Sequence, residues 1–80
     1  MRRLTKKEFR ILLGERIKQI RESKELTQEQ LAFKMGYKDK QVVSRYEREG
    51  ANPNSFTLIQ ICQALDVSVE EILDFLNSDT

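Results

Sequence analysis

Apolar residues recur at three- and four-residue intervals along most of the chain, the spacing of helices that bury one face. Phe9, Leu12, Leu13, Ile17 and Ile20 form one such stripe and predict a first helix from about Lys6 to Ser23. Thr27 and Gln30 make a T-x-x-Q capping box, which opens a second helix carrying Leu31, Ala32 and Met35 inward. Gly36, which tolerates a left-handed backbone, ends it. Asp39 reads as the N-cap of a third helix, and Pro53 precedes a fourth that starts near Asn54 or Ser55. Ser68 with Glu71 is another capping box; it starts a short last helix holding Ile72, Leu73, Phe75 and Leu76. The pattern predicts an all-α fold of five helices and no strand.

The third helix sorts its side chains by chemistry. With Lys40 at zero and about 100° per residue, Lys40, Ser44, Arg48, Gln41 and Arg45 share an arc of about 140°. Val42, Val43 and Tyr46 occupy the opposite arc and must face the core, with Glu47 at the boundary. The outer arc holds three cations, an amide and a hydroxyl, and no carboxylate. An ordinary solvated helix mixes Glu with Lys at such spacings, because each pair stabilises it by roughly 0.2–0.5 kcal/mol. A face without such pairs fits phosphates and base edges better than plain solvent. A short helix, a turn of about four residues and a second short helix is also the arrangement that projects the second helix into a DNA major groove. Ala32, small and mid-helix, fits a close crossing of the two.

Length and charge narrow the function further. Eighty residues hold one small domain, here expected as a single unit over 1–80 with a basic N-terminal arm at about 1–7 and a core at about 8–76. The net charge of +1 conceals a gradient: residues 1–24 hold nine Lys/Arg against three Glu, residues 25–50 five against five, and residues 51–80 none against five. A basic first third points to an anionic partner, although a terminal basic segment is often merely solvated. With no His, one Cys, no phosphate loop and no metal-ligand spacing, the chain reads as a non-enzyme that needs no cofactor or metal. Cys62, inside the apolar run "FTLIQICQAL", reads as a small buried thiol. No apolar run approaches the roughly 20 residues of a membrane span, and the start "MRRLTKKEFR" lacks a signal core, so the expected location is the cytoplasm.

Three segments together, "LLGERIKQIRESKELTQEQLAFKMG", "VVSRYERE" and "NPNSFTLIQICQALDVSVEEIL", resemble the phage-repressor-type, or XRE-type, helix-turn-helix family over about residues 9–76. The resemblance implies a compact five-helix, lambda-repressor-like DNA-binding fold. It also implies sequence-specific binding of double-stranded DNA by a transcriptional regulator, as a homodimer on a palindromic operator. By position it assigns Lys40, Gln41, Ser44 and Arg45 to base readout and Gln28, Arg48, Asn52 and Asn54 to phosphates. Arg21 and Glu47 match a family ion pair that ties the first helix to the recognition helix. Glu25 and Asp66 stand where the family often has Gly, so both are expected at positive φ, with strain of about 1 kcal/mol at Glu25. Ile72, Leu73, Phe75 and Leu76 are the candidate dimer surface, or else close the bottom of the monomer core. An alternative is a protein-interaction module or antitoxin-type partner in which DNA binding is subordinate; a restriction-controller role is a variant of the regulator.

Overall fold

The computed structural model describes residues 3–77. Met1 and Arg2 of the expected basic arm lie outside the described residues. Helices α1 (Lys6–Ser23), α2 (Gln28–Lys34), α3 (Gln41–Glu49), α4 (Ser55–Leu65) and α5 (Val69–Ile72) follow one another, with a 3-10 turn at Asp74–Asn77 and no strand among the described residues. Lys6 and Lys7, at the end of the expected arm, belong to α1, which starts where the stripe predicts.

Local capping explains where these helices start. Thr5 caps α1 by accepting the Glu8 N–H, while Glu8 accepts the Thr5 N–H, a box that the sequence T-K-K-E carries and the stripe reading passed over. Thr27 with Gln30 and Ser68 with Glu71 form the two expected boxes. Asn54 caps α4, its Oδ1 accepting the Thr57 N–H at 2.9 Å. Asp39 corrects the reading by one residue: Lys40 is the N-cap of α3 and has no side-chain cap bond, while Asp39 Oδ1 accepts the Gln41 N–H at 3.0 Å from one position earlier.

The helix ends share one geometry. After α1 the Leu26 and Glu25 N–H groups return to the Arg21 and Glu22 carbonyls; after α2 those of Tyr37 and Gly36 return to Ala32 and Phe33; after α4 those of Val67 and Asp66 return to Cys62 and Gln63. Glu25 and Asp66 both have φ 58°, as expected, and Gly36 has φ 93°. Only the middle of these three reversals uses the residue for which a left-handed backbone is free of strain.

One core lies beneath these turns, formed by Leu13, Ile17, Ile20, Leu31, Ala32, Met35, Val43, Ala51, Ile61, Cys62, Leu65 and Ile72. α1 runs through it and packs against α3, α5 and the 3-10 turn. Gly14 makes the α1–α3 approach close, since a Cβ there would fall on the Tyr46 backbone carbonyl oxygen. The last helix departs from the reading. Its regular part stops at Ile72, which is fully buried and so belongs to the core and to no dimer surface. Phe75 and Leu76 sit in the 3-10 turn, where Phe75 packs on Phe9 with ring centroids 5.9 Å apart. Leu73, Phe75 and Leu76 remain half-buried.

Candidate nucleic-acid interface

α3 begins six residues after α2, but Met35 and Lys40 are the caps of the two helices, which leaves residues 36–39 as the turn. The sorted wheel of α3 survives in three dimensions. Val43 is fully buried and Val42 and Tyr46 pack on the core from half-buried positions. Lys40, Gln41, Arg45 and Arg48 are exposed and Ser44 is half-exposed, so all four residues assigned to base readout reach one open side. Arg48 lies across its own helix: Nη1 donates to Ser44 Oγ at 3.4 Å and Nη2 to Glu49 Oε2 at 3.1 Å. Both partners of the Arg48–Glu49 pair are more than half exposed, so it is worth little and yields readily to a stronger anion.

The side of α3 turned toward α1 is held by a polar network. Arg21 donates through Nε to Glu47 Oε2 at 2.7 Å and through Nη2 to Glu47 Oε1 at 3.0 Å. Its Nη1 donates to the Leu26 carbonyl at 2.6 Å, closing the turn between α1 and α2. The Gln28 amide adds a third element by donating to Glu47 Oε1 at 3.0 Å. Arg21 and Glu47 side chains are 9% and 5% exposed, so the bidentate pair is shielded from water. The bonded Glu47 carboxylate raises the Arg21 pKa against the opposing effect of burial, and the guanidinium stays charged. Glu47, at the boundary of the wheel, thus turns inward, and among the described residues the one carboxylate paired with a cation of the outer arc is that of Glu49, on Arg48.

Gln28 and Lys40 line one shallow cleft with Arg21, Thr27 and Glu29, which places the start of α2 beside the start of α3. Gln28 Nε2 gives one N–H to Glu47 and keeps a second to donate. Asn52 is exposed; Asn54 is exposed as well, but its oxygen serves the α4 cap, leaving only its amide nitrogen to donate. The two loop asparagines are therefore unequal, a distinction that residue type alone could not make.

The helix-turn-helix family model matches residues 17–72. The chain belongs to the helix-turn-helix family. It is similar to an uncharacterized HTH-type transcriptional regulator, y4dJ, of Sinorhizobium fredii (strain NBRC 101917 / NGR234), with 36% identity over 66 residues that cover 82% of this chain and 84% of the relative. The restriction-modification controller protein C.AhdI from Aeromonas hydrophila has a similar structure, with TM-score 0.71, 32% identity, and 79% of this chain and 94% of that one covered. So does the controller protein C.Esp1396I, solved as a tetramer in complex with its natural 35 base-pair operator, with TM-score 0.72, 33% identity, and coverage of 84% and 87%. In this helix-turn-helix chain α2 and α3 are the paired helices, and the fold is that of the controller proteins.

Several residues that matter to the site carried no signal in the one-dimensional pattern. Gly14 sets the α1–α3 distance, and Ala51 is buried with its N–H donating to the Arg10 carbonyl at 2.7 Å, pinning the loop after α3 onto α1. Arg16 donates twice to the Glu71 carbonyl, at 3.1 and 2.8 Å, and ties α1 to α5. Phe33 on α2 and Phe56 on α4 are 78% and 70% exposed, and with Ile59 they are open apolar surface that helical spacing alone does not place.

Proposed function

We propose that this protein is a sequence-specific DNA-binding transcriptional regulator, without enzymatic activity, acting in the cytoplasm. α3 enters the major groove of double-stranded DNA with Lys40, Gln41, Ser44 and Arg45 toward the bases. The observation that carries this is the outer face of α3: exposed cations and an amide, with the helix's inner carboxylate tied to Arg21 and Gln28. Arg45 or Lys40 suits guanine O6 and N7, and Gln41 suits adenine in bidentate fashion. Gln28, Arg48, Asn52 and Asn54 contact phosphates and set the docking angle. That no described helix is long and apolar enough to cross a membrane is compatible with this role.

One recognition helix reads few base pairs, so two copies bind a palindromic operator, with half-sites about one helical turn, roughly 34 Å, apart. A multimer of the similar controller protein C.Esp1396I on its operator supports this arrangement. The subunits pair through the charge-free outer face of α4, where Phe56 and Ile59 lie exposed one turn apart, with the half-buried Leu73, Phe75 and Leu76 as the other candidates. Exposure of Phe33 beside Leu26, Lys34 and Lys38 favours a second reading, a docking module for another protein, in which DNA binding is subordinate.

Selection of duplexes from a randomised pool separates the two. The wild type should enrich a two-fold symmetric motif, and a Lys40→Ala, Gln41→Ala, Arg45→Ala variant should lose it while its circular dichroism stays unchanged. Enrichment of nothing by the folded wild type would sink the regulator reading and leave the docking module.

A further inference from the structure

The face of α3 leaves a second cationic surface without a role. Arg3, Lys6, Lys7 and Arg10 are all exposed, and no described carboxylate forms an ion pair with any of them. The one acid among them, Glu8, accepts the Thr5 N–H at 3.0 Å in the capping box. Cations at the start of a helix face the positive end of its dipole, and like charges three and four residues apart repel. α5 follows the favourable rule, with Glu70 and Glu71 in its first turn; α1 follows it with Glu8 alone and sets Lys6 and Lys7 against it. Cations set against a local preference in this way, with no ion-pair partner among the described residues, mark a site built for something outside the fold.

The position of these cations says what that is. On the α1 wheel Lys6, Lys7, Arg10 and Gly14 share an arc of about 100°. Gly14 lies against the Tyr46 carbonyl on α3, and Arg10 lies against Gly50, with its own carbonyl accepting the Ala51 N–H at 2.7 Å. The arc that grips the C-terminal end of α3 therefore continues toward the start of α1 as a line of cations. Arg48, in the last turn of α3, and Asn52, in the loop itself, stand on either side of Gly50 and Ala51 in the chain.

We propose that Lys6, Lys7 and Arg10 bind the phosphate backbone of DNA beyond the base pairs covered by α3. They widen each subunit's footprint and add affinity without reading sequence. This rests on the DNA-binding reading above. The contacts are point charges on phosphates, so their signature is counterion release: about 0.9 in the slope of log K against log salt for each phosphate neutralised.

The test measures affinity by fluorescence anisotropy across a salt series, on a duplex carrying the selected motif with about ten flanking pairs on each side. A Lys6→Gln, Lys7→Gln, Arg10→Gln variant should lower the slope by about 3 per subunit and weaken binding at low salt at least tenfold, while enriching the same motif. A charge-matched Lys18→Gln, Lys24→Gln, Lys34→Gln variant, altered at exposed cations elsewhere, should keep the wild-type slope. Trimming the flanks should weaken the wild type and leave the first variant unaffected. Should that triple variant not fold, Lys6→Gln with Lys7→Gln should lower the slope by about 2. An unchanged slope in a folded variant, or equal losses in both triple variants, overturns the proposal. A wild type that binds no duplex at all fails the regulator reading itself, a separate result visible before any variant is made.

Discussion

α3 and α4 are held in place by different forces. Of the nine residues of α3 only Val43 is buried, whereas α4 buries Ile61, Cys62 and Leu65 and has no charged side chain. Apolar burial is strong but non-directional, so it fixes α4 in the core without demanding one angle. α3 must present a polar face outward and cannot be anchored by area alone. Its orientation comes instead from directional bonds: Arg21 and Gln28 on Glu47, the Gly14 approach at Tyr46, and the Ala51 N–H on the Arg10 carbonyl. Stability and presentation are thus assigned to different regions, and mutations can separate them.

The largest effect is expected on the apolar side. Ile61→Ala leaves a cavity in the core and should cost about 2–5 kcal/mol in urea denaturation, while the folded fraction binds DNA as tightly as wild type. A loss of affinity per folded molecule would show that α4 orients α3 after all.

Glu47→Ala should cost about 3 kcal/mol, because it strands the shielded Arg21 guanidinium, and it should weaken DNA binding as well. An unchanged melting temperature would sink the pairing. Replacing both partners, as Arg21→Met with Glu47→Leu, sharpens the contrast: stability should return to within about 1–2 kcal/mol of wild type, and DNA affinity should not. Recovery of affinity along with stability would reduce the network to mere packing.

Smaller effects test the helix ends and the core thiol. Glu25→Gly relieves a φ of 58° and should leave stability unchanged or raise it by about 1 kcal/mol; a clear drop in thermal midpoint would mean that the backbone there is not strained. Burial pushes the Cys62 thiol above its ordinary pKa of 9.0 and the Tyr46 hydroxyl above 10.0. A raised folded-state pKa favours the protonated, folded form, so this contribution is complete below about pH 9 and is lost as pH rises through the raised values. Urea midpoints measured from pH 7 to 11 should fall at the alkaline end, with a later onset in Cys62→Ala.

The helices were legible because their signals are local. Capping boxes at Thr27 and Ser68 and the stripe from Phe9 to Ile20 depend on nearby residues, and the structure has each of them; the reversals at Glu25 and Asp66, which the family resemblance implied, are present as well. The outer face of α3 was legible because helical periodicity sorts side chains before any tertiary contact forms. Errors fell at boundaries and at the last helix. Asp39 caps from one residue early, and the last helix is regular only to Ile72, with Phe75 and Leu76 in a 3-10 turn; the burial of Ile72 meets the core alternative that the sequence left open.

The sequence by itself determined the number and order of helices, the inward stripes of α1, α2 and α3, and the charge gradient along the chain. All of these follow from the period of the chain and the chemistry of single side chains. Only the tertiary structure decided that Gln28 joins Arg21 on Glu47, that Gly14 and Gly50 are places of close approach, and that Phe33 and Phe56 stay exposed. Those facts depend on pairs of residues far apart in the chain, whose meeting is set by how helices cross and not by what either residue prefers alone.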